Sequence, residues 1–162
     1  MKLGLMTAAF PGKSLKEVAE WAAPNGFEML ELACWPVGKA TRRYAGVTTL
    51  DVTDLDKKGA DEARAIMKSN GLEISSLGYY PNPLHPDSEH SEVVIGHLKK
   101  VIDAAALVMD DPIVGTFVGR DKDKTIEANL ETFAKVWPPI IKYAKERGVK
   151  VAIENCPMIF SN

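Results

Sequence analysis

The stretch VKVAIENCPMIFSN, residues 149–162, decides how the rest of the chain is read. Val149, Val151, Ala152 and Ile153 make a short apolar run after Gly148, as a buried strand over residues 149–153 would. Glu154 stands at the end of that run and is followed by Asn155. Only residues 155–162 remain beyond it, and Pro157 breaks them, so no helix of ordinary length follows the strand. A carboxylate at the end of a buried strand must be paired, hydrogen-bonded or bound to a metal. Glu154 is therefore either a structural group satisfied by backbone or by Asn155, or a functional one.

Upstream of this strand the same grammar runs back to the N-terminus. Ile126, Leu130, Phe133, Trp137, Ile140, Ile141 and Ala144 keep one helical register, crossing Pro138-Pro139. Proline inside a helix removes a donor and crowds the preceding turn, which predicts a kink or a fresh helix start there. Residues 113–118 read as a strand, and Val94, Leu98, Val101, Ile102 and Ala105 mark a helix before it. Residues 74–77 form another strand. Ala60, Ala63, Ile66 and Met67 mark a helix stopped by Asn70-Gly71, and residues 27–33 (FEMLELA) a strand. Leu15, Val18, Ala19 and Ala22 form an apolar stripe that ends at Pro24, Asn25 and Gly26. Ser14, with Glu17 three residues later, makes a capping box at its start. Residues 3–6 are the first strand, lying before Thr7 and the Pro11-Gly12 break.

Strands that alternate with helices, and are themselves short and apolar, form a parallel sheet covered by helices. Five such strands and four helices fit a flavodoxin-like doubly wound sheet or part of a (β/α)₈ barrel. The doubly wound fold normally carries a helix after strand five and a glycine-rich first loop. Residues 155–162 leave no room for the helix, and residues 7–13 contain only Gly12. The expectation is an α/β chain whose residues 1–162 form the N-terminal half of a TIM barrel.

Composition bounds the function. Forty-six per cent hydrophobic and 26% charged residues describe a globular domain, and a net charge of −2 lacks the basic face that a nucleic-acid binder needs. Lys39, Arg42 and Arg43 cluster, but three cations in a loop are read as solvated surface. Cys34 and Cys156 match no disulfide framework or zinc spacing, and neither has a sequence-adjacent histidine that would mark a nucleophile. No signal-peptide pattern opens the chain and no run has the length of a membrane span. The expectation is a cytoplasmic protein with no nucleic-acid or membrane partner.

In either parallel fold, ligands bind at the C-terminal ends of the strands. That rule selects residues 7–13, 34–53, 78–90, 119–124 and 154–162. The second loop is long enough to be a lid or a binding loop. The third, GYYPNPLHPDSEH, has three prolines that can order it without regular structure. Phe10, Trp35 and Tyr80 lie just past strand ends, where an aromatic face can pack on the C–H face of a sugar or simply fill a loop. His85 is a candidate substrate contact in the third loop, with His90 near it, whereas His97 falls on the polar side of its helix and is expected at the surface. Glu31, inside the second strand, is either a charge paired within the barrel or a substrate contact.

Several segments carry a resemblance. VAIENCPMIFSN (151–162), VGTFVGRD (114–121), SLGYYPNPLHPD (76–87) and ELACWPVGKATRRYAGV (31–47) resemble the xylose isomerase-like barrel superfamily of sugar phosphate isomerases and epimerases. The resemblance runs through all five strands, and the IEN segment is its most specific part. It implies a (β/α)₈ barrel that binds Mn²⁺, Mg²⁺ or Co²⁺ through residues near the ends of strands five to eight. By the same resemblance Glu154 is the strand-five metal ligand and also an acid/base that moves a proton next to a carbonyl. The implied reaction passes through an enediolate, on a small sugar substrate touched by Phe10, Trp35, Tyr80 and His85.

The chain departs from that pattern because the Asp, His and Glu that the family supplies from strands six to eight lie outside residues 1–162. Three readings stay open: a piece of a longer enzyme, a half barrel that assembles as a homo-oligomer, and a non-catalytic sugar-binding module. On its own the chain is expected to have little or no isomerase activity. An apurinic endonuclease uses the same barrel but needs a histidine after strand four, where this chain has Thr116-Phe117-Val118-Gly119.

Overall fold

Each of the four α-helices begins where a short oxygen-bearing side chain takes up a free backbone N–H. Ser14 accepts from the Glu17 N–H, and Glu17 accepts from the Ser14 N–H in return, which completes the capping box. Asp56 accepts from Gly59, Asp87 from Glu89 and His90, and Thr125 from Ala128. The helices so started are α1 (Leu15–Ala22), α2 (Lys57–Ser69), α3 (Ser88–Val108) and α4 (Ile126–Glu146). The computed structural model describes residues 1–38 and 45–154. Lys39, Arg42 and Arg43, and the whole segment 155–162 with Cys156, lie outside the described residues.

The helices alternate with β1 (Gly4–Met6), β2 (Met29–Ala33), β3 (Glu73–Gly78), β4 (Ile113–Phe117) and β5 (Lys150–Glu154). These strands form one sheet in the order β1-β2-β3-β4-β5, and every neighbouring pair is parallel. That order bears out the barrel expected from the sequence. A doubly wound sheet reverses direction at a switch point, while here each strand pairs with its predecessor, as in a barrel. The expected five strands and four helices are all present, with ends shifted by one or two residues.

The core lies between sheet and helices. Leu30, Leu32, Leu77 and Val114 point to the helical side and are fully buried with Val18, Ala19, Leu98, Val101, Ile102, Trp137 and Ile140. Trp137 also donates its indole N–H to the Val118 carbonyl at 2.9 Å, which pins α4 to the end of β4. Between α3 and α4, Asp103 accepts from Tyr143 at 2.7 Å and pairs with Arg147, whose guanidinium lies over the Tyr143 ring.

Two expectations need correction. Of the kink or fresh helix start expected at Pro138-Pro139, the fresh start does not occur: α4 runs through the pair as one element. Both prolines are exposed, and buried Trp137, Ile140 and Ala144 on the other face hold the helix to the core on either side of them. His97 is buried rather than at the surface. Its ring packs 4.6 Å from Tyr79, and its Nε2–H donates to the Cys34 carbonyl at 2.7 Å. The polar ring is accommodated because it has that partner. Among the described residues, no helix is long and apolar enough to cross a membrane.

Candidate functional site

The strand ends open into a cavity of about 830 Å³ whose lining includes Glu31, Trp35, Tyr79, Tyr80, Phe117 and Glu154. Strand alternation places the acids there. In β2, Leu30 and Leu32 face the helices, so Glu31 between them faces the cavity. In β5, Glu154 pairs in register with Phe117 and shares its face.

Tyr80, two residues past the end of β3, joins the two acids. Its hydroxyl oxygen lies 2.5 Å from Oε1 of Glu31 and 2.9 Å from Oε1 of Glu154. A single phenolic hydrogen serves one carboxylate at a time, so hydrogens in both contacts require a second one carried by a carboxyl group. Burial holds the Glu31 carboxyl above the usual carboxylate range, opposed by the Tyr80 hydrogen bond and reinforced by the negative charge of Glu154. Burial, and then the two carboxylates, push the Tyr80 phenol upward, so it keeps its proton at neutral pH.

Two glycines make room for this arrangement. A Cβ added at Gly115 of β4 would stand 2.4 Å from the Tyr80 hydroxyl oxygen and 2.8 Å from Oε1 of Glu31. One added at Gly78 of β3 would stand 2.7 Å from the same Glu31 oxygen and 3.0 Å from the Tyr80 ring. The two glycines are register partners across β3 and β4, so together they open a slot in the inner face of the sheet.

The walls are fastened by backbone. Asn82 donates to the Arg120 carbonyl at 2.6 Å and accepts from the Arg120 N–H at 3.0 Å, which ties the loop after β3 to the loop after β4. Thr48 donates to the Trp35 carbonyl at 2.8 Å, so the long loop after β2 folds back on its own start. Thr7, fully buried, accepts from the Ala33 N–H at 2.8 Å where β1 and β2 end. The Trp35 ring lies 6.0 Å from that of Tyr80, and Phe117 4.8 Å from it on another side.

Of the residues singled out in the sequence, Glu154, Trp35 and Tyr80 come together in this cavity, with Glu31 beside them. Phe10 is not among its lining; its ring packs against Trp21 of α1 at 4.9 Å. His85 lies outside the lining too, accepting from the Asp87 N–H at 3.2 Å and packed on His90, which does line the cavity. Cys34 is fully buried, and burial pushes its thiol up, which suits a packing role. Phe117, Asn82 and the glycine pair escaped sequence reasoning. The glycines carried a usable signal, since a glycine inside a strand often marks close approach of another group.

Solved structures with this fold include a D-psicose 3-epimerase with D-tagatose from Clostridium cellulolyticum H10, 18% identical with a TM-score of 0.64. That comparison covers 94% of this chain and 52% of the other. A probable 3-DHS dehydratase, AsbF from Bacillus anthracis, is 19% identical over 98% of this chain and 53% of its own, with a TM-score of 0.67. The IolI protein, solved with a bound zinc atom, is 14% identical over 94% and 51%, with a TM-score of 0.62. The chain thus spans about half the length of the solved structures that it matches. Among curated proteins, nothing matches it. The family model described as xylose isomerase-like TIM barrel matches residues 19–162, and the chain belongs to that family.

Proposed function

We propose that this chain carries the strand-five side of a sugar isomerase or epimerase site, in which Glu154 moves a proton on and off a carbon next to a carbonyl. The observation that carries this reading is the placement of Glu154. It ends β5, lines the cavity and accepts a hydrogen bond from Tyr80, a phenol that burial keeps protonated. A carboxylate beside a fixed donor is suited to act as a general base and, once protonated, as the acid that returns the proton. Trp35, Tyr80 and Phe117 offer aromatic faces for the C–H face of a small sugar. An epimerase solved with a ketose shares the fold and supports the substrate class.

Glu154 is also the candidate metal ligand, because a carboxylate is a hard oxygen donor of the kind that holds Mn²⁺, Mg²⁺ or Co²⁺. Among the described residues no cluster of three metal-ligating side chains occurs. Glu154 is therefore one ligand of a set whose other members come from outside the described residues. When bound, such a cation supplies polarisation of the substrate's carbonyl and hydroxyl oxygens.

Glu154→Gln keeps the shape of the side chain and removes the base. In a metal-loaded barrel completed by the strands that the longer relatives carry, it lowers ketose epimerisation by ~10²-fold or more. Unchanged turnover together with unchanged metal content overturns the assignment. Assayed alone with a ketose and Mn²⁺, the 162-residue chain gives only background turnover.

A further inference from the structure

We propose that Glu31 is a positioning residue for Glu154: it anchors the Tyr80 hydroxyl at the point where that hydroxyl grips Oε1 of Glu154, leaving Oε2 as the oxygen offered to a ligand. This deepens the function proposed above and rests on it for the role of Glu154, but its geometry stands apart from the metal and the substrate.

The case begins with what a tyrosine hydroxyl does when only one group holds it. The hydrogen rotates about the C–O bond, and the ring can tilt without losing a partner. Here the oxygen has two anchors, at 2.5 Å to Glu31 and 2.9 Å to Glu154, both through Oε1. Glu31 belongs to β2, paired on both sides within the sheet, while β5 has a described strand partner only in β4. The rigid anchor is therefore Glu31, and the side chain that needs holding is Glu154. Glu31 is half-buried, so it cannot swing out to water as an exposed acid would.

The surroundings are shaped for this contact. Phe117 and Trp35 flank the Tyr80 ring, at 4.8 and 6.0 Å between ring centres. Gly78 and Gly115 leave out the two methyl groups that would collide with the Glu31 oxygen and the Tyr80 hydroxyl. A core with no use for this contact would gain packing from alanine at both positions. Two strands instead give up a side chain where the phenol meets the acid.

The experiment uses the 162-residue chain labelled with ¹³C at glutamate side-chain carboxyls, with Glu154 assigned by the signal lost in Glu154→Gln. The expected result is that Glu31→Gln and Tyr80→Phe each shift the Glu154 resonance, and that the shift from Glu31→Gln is much smaller once Tyr80 is phenylalanine, only the direct charge effect remaining. Gly115→Ala, whose added methyl crowds both the Tyr80 hydroxyl and the nearer Glu31 oxygen, also shifts the Glu154 resonance by displacing the hydroxyl. An unmoved Glu154 signal in Glu31→Gln, or the same shift with and without the phenol, overturns the proposal. If Glu31→Gln fails to fold, Glu31→Asp, which draws the acid back from the hydroxyl, is read in its place, and an unmoved Glu154 signal there overturns the proposal. In the metal-loaded barrel, Glu31→Gln lowers metal affinity by ~10–100-fold, the usual effect of losing a group that orients a ligand, and adds nothing to Tyr80→Phe. The resonance measurement needs no metal or substrate, so it can succeed even where the reaction assigned to Glu154 fails.

Discussion

A buried imidazole that donates to a carbonyl is a pH-sensitive part of any fold, and His97 is placed that way, against the Tyr79 ring and the Cys34 carbonyl. Burial lowers its pKa below the ordinary value of 6.5, Lys100 adds to this, and the Cys34 carbonyl and Asp51 oppose it. With a depressed folded-state pKa, the unfolded chain binds the proton first as the pH falls. The stability that depends on neutral His97 is therefore complete above the unfolded pKa and drains away as the pH drops through 6.5 toward the folded value. Chemical denaturation should show the wild-type chain losing stability between about pH 7.5 and 5.5, with His97→Gln flatter across that window. Equal slopes for the two proteins would place the titration elsewhere. Reading this residue from helical periodicity failed because periodicity counts polar side chains as outward, and the Cys34 carbonyl that invites this one inward comes from a loop far away in sequence. Glu154 and Tyr80 were legible because strand ends gather ligands in every parallel fold. Phe10 and His85 answered to the same rule, yet loop geometry, which the sequence does not encode as a period, turned Phe10 toward Trp21 and His85 toward its own helix cap.

Among the elements, α4 is the one whose sequence argues against its structure. Pro138 and Pro139 lack the N–H groups that would reach the carbonyls of Ala134 and Lys135, and the helix nevertheless runs from Ile126 to Glu146. A proline inside a helix costs about 3 kcal/mol, while proline also removes ~1 kcal/mol of unfolded-chain entropy that alanine restores. Each exposed proline replaced by alanine should therefore stabilise the chain by about 1–2 kcal/mol, visible as a rise of a few degrees in thermal midpoint. A fall in midpoint for Pro138→Ala or Pro139→Ala would mean that the prolines help to dock α4 on β4. The other elements were legible because their signals are local. Ser14 with Glu17 marks the start of α1, apolar residues at helical spacing mark α2, α3 and α4, and the short apolar runs between them read as covered strands; the caps at Asp56, Asp87 and Thr125 emerge only in the structure. Tertiary packing overrides such local signals, as the buried Trp137 does for the prolines beside it through its bond to the end of β4.

For the whole molecule, the two ends of the sheet differ from its middle. β5 pairs only with β4 among the described residues, and Ile153, on the helical side of that strand, is 41% exposed. An edge strand with an apolar side chain on view is a site for association. Light scattering on the 162-residue chain should show self-association at high concentration, reduced by Ile153→Lys. A monodisperse monomer in both proteins would show that this edge is inert. The succession of strands and helices is common to a barrel and a doubly wound sheet, and what tipped the sequence reading to the barrel was the lack of a glycine-rich loop at residues 7–13 and of a helix pattern after residue 154, a reading that the strand order bears out. That order bears on how the molecule is made. Every strand pairs with the strand synthesised just before it, so each unit can dock as it leaves the ribosome without waiting for a distant segment. Glu31 and Tyr80 meet when β3 docks, and the glycine slot closes around them with β4. Glu154, the acid proposed to move the proton, arrives after them with β5, so a nascent chain holds the cradle before it holds the group that the cradle is proposed to serve.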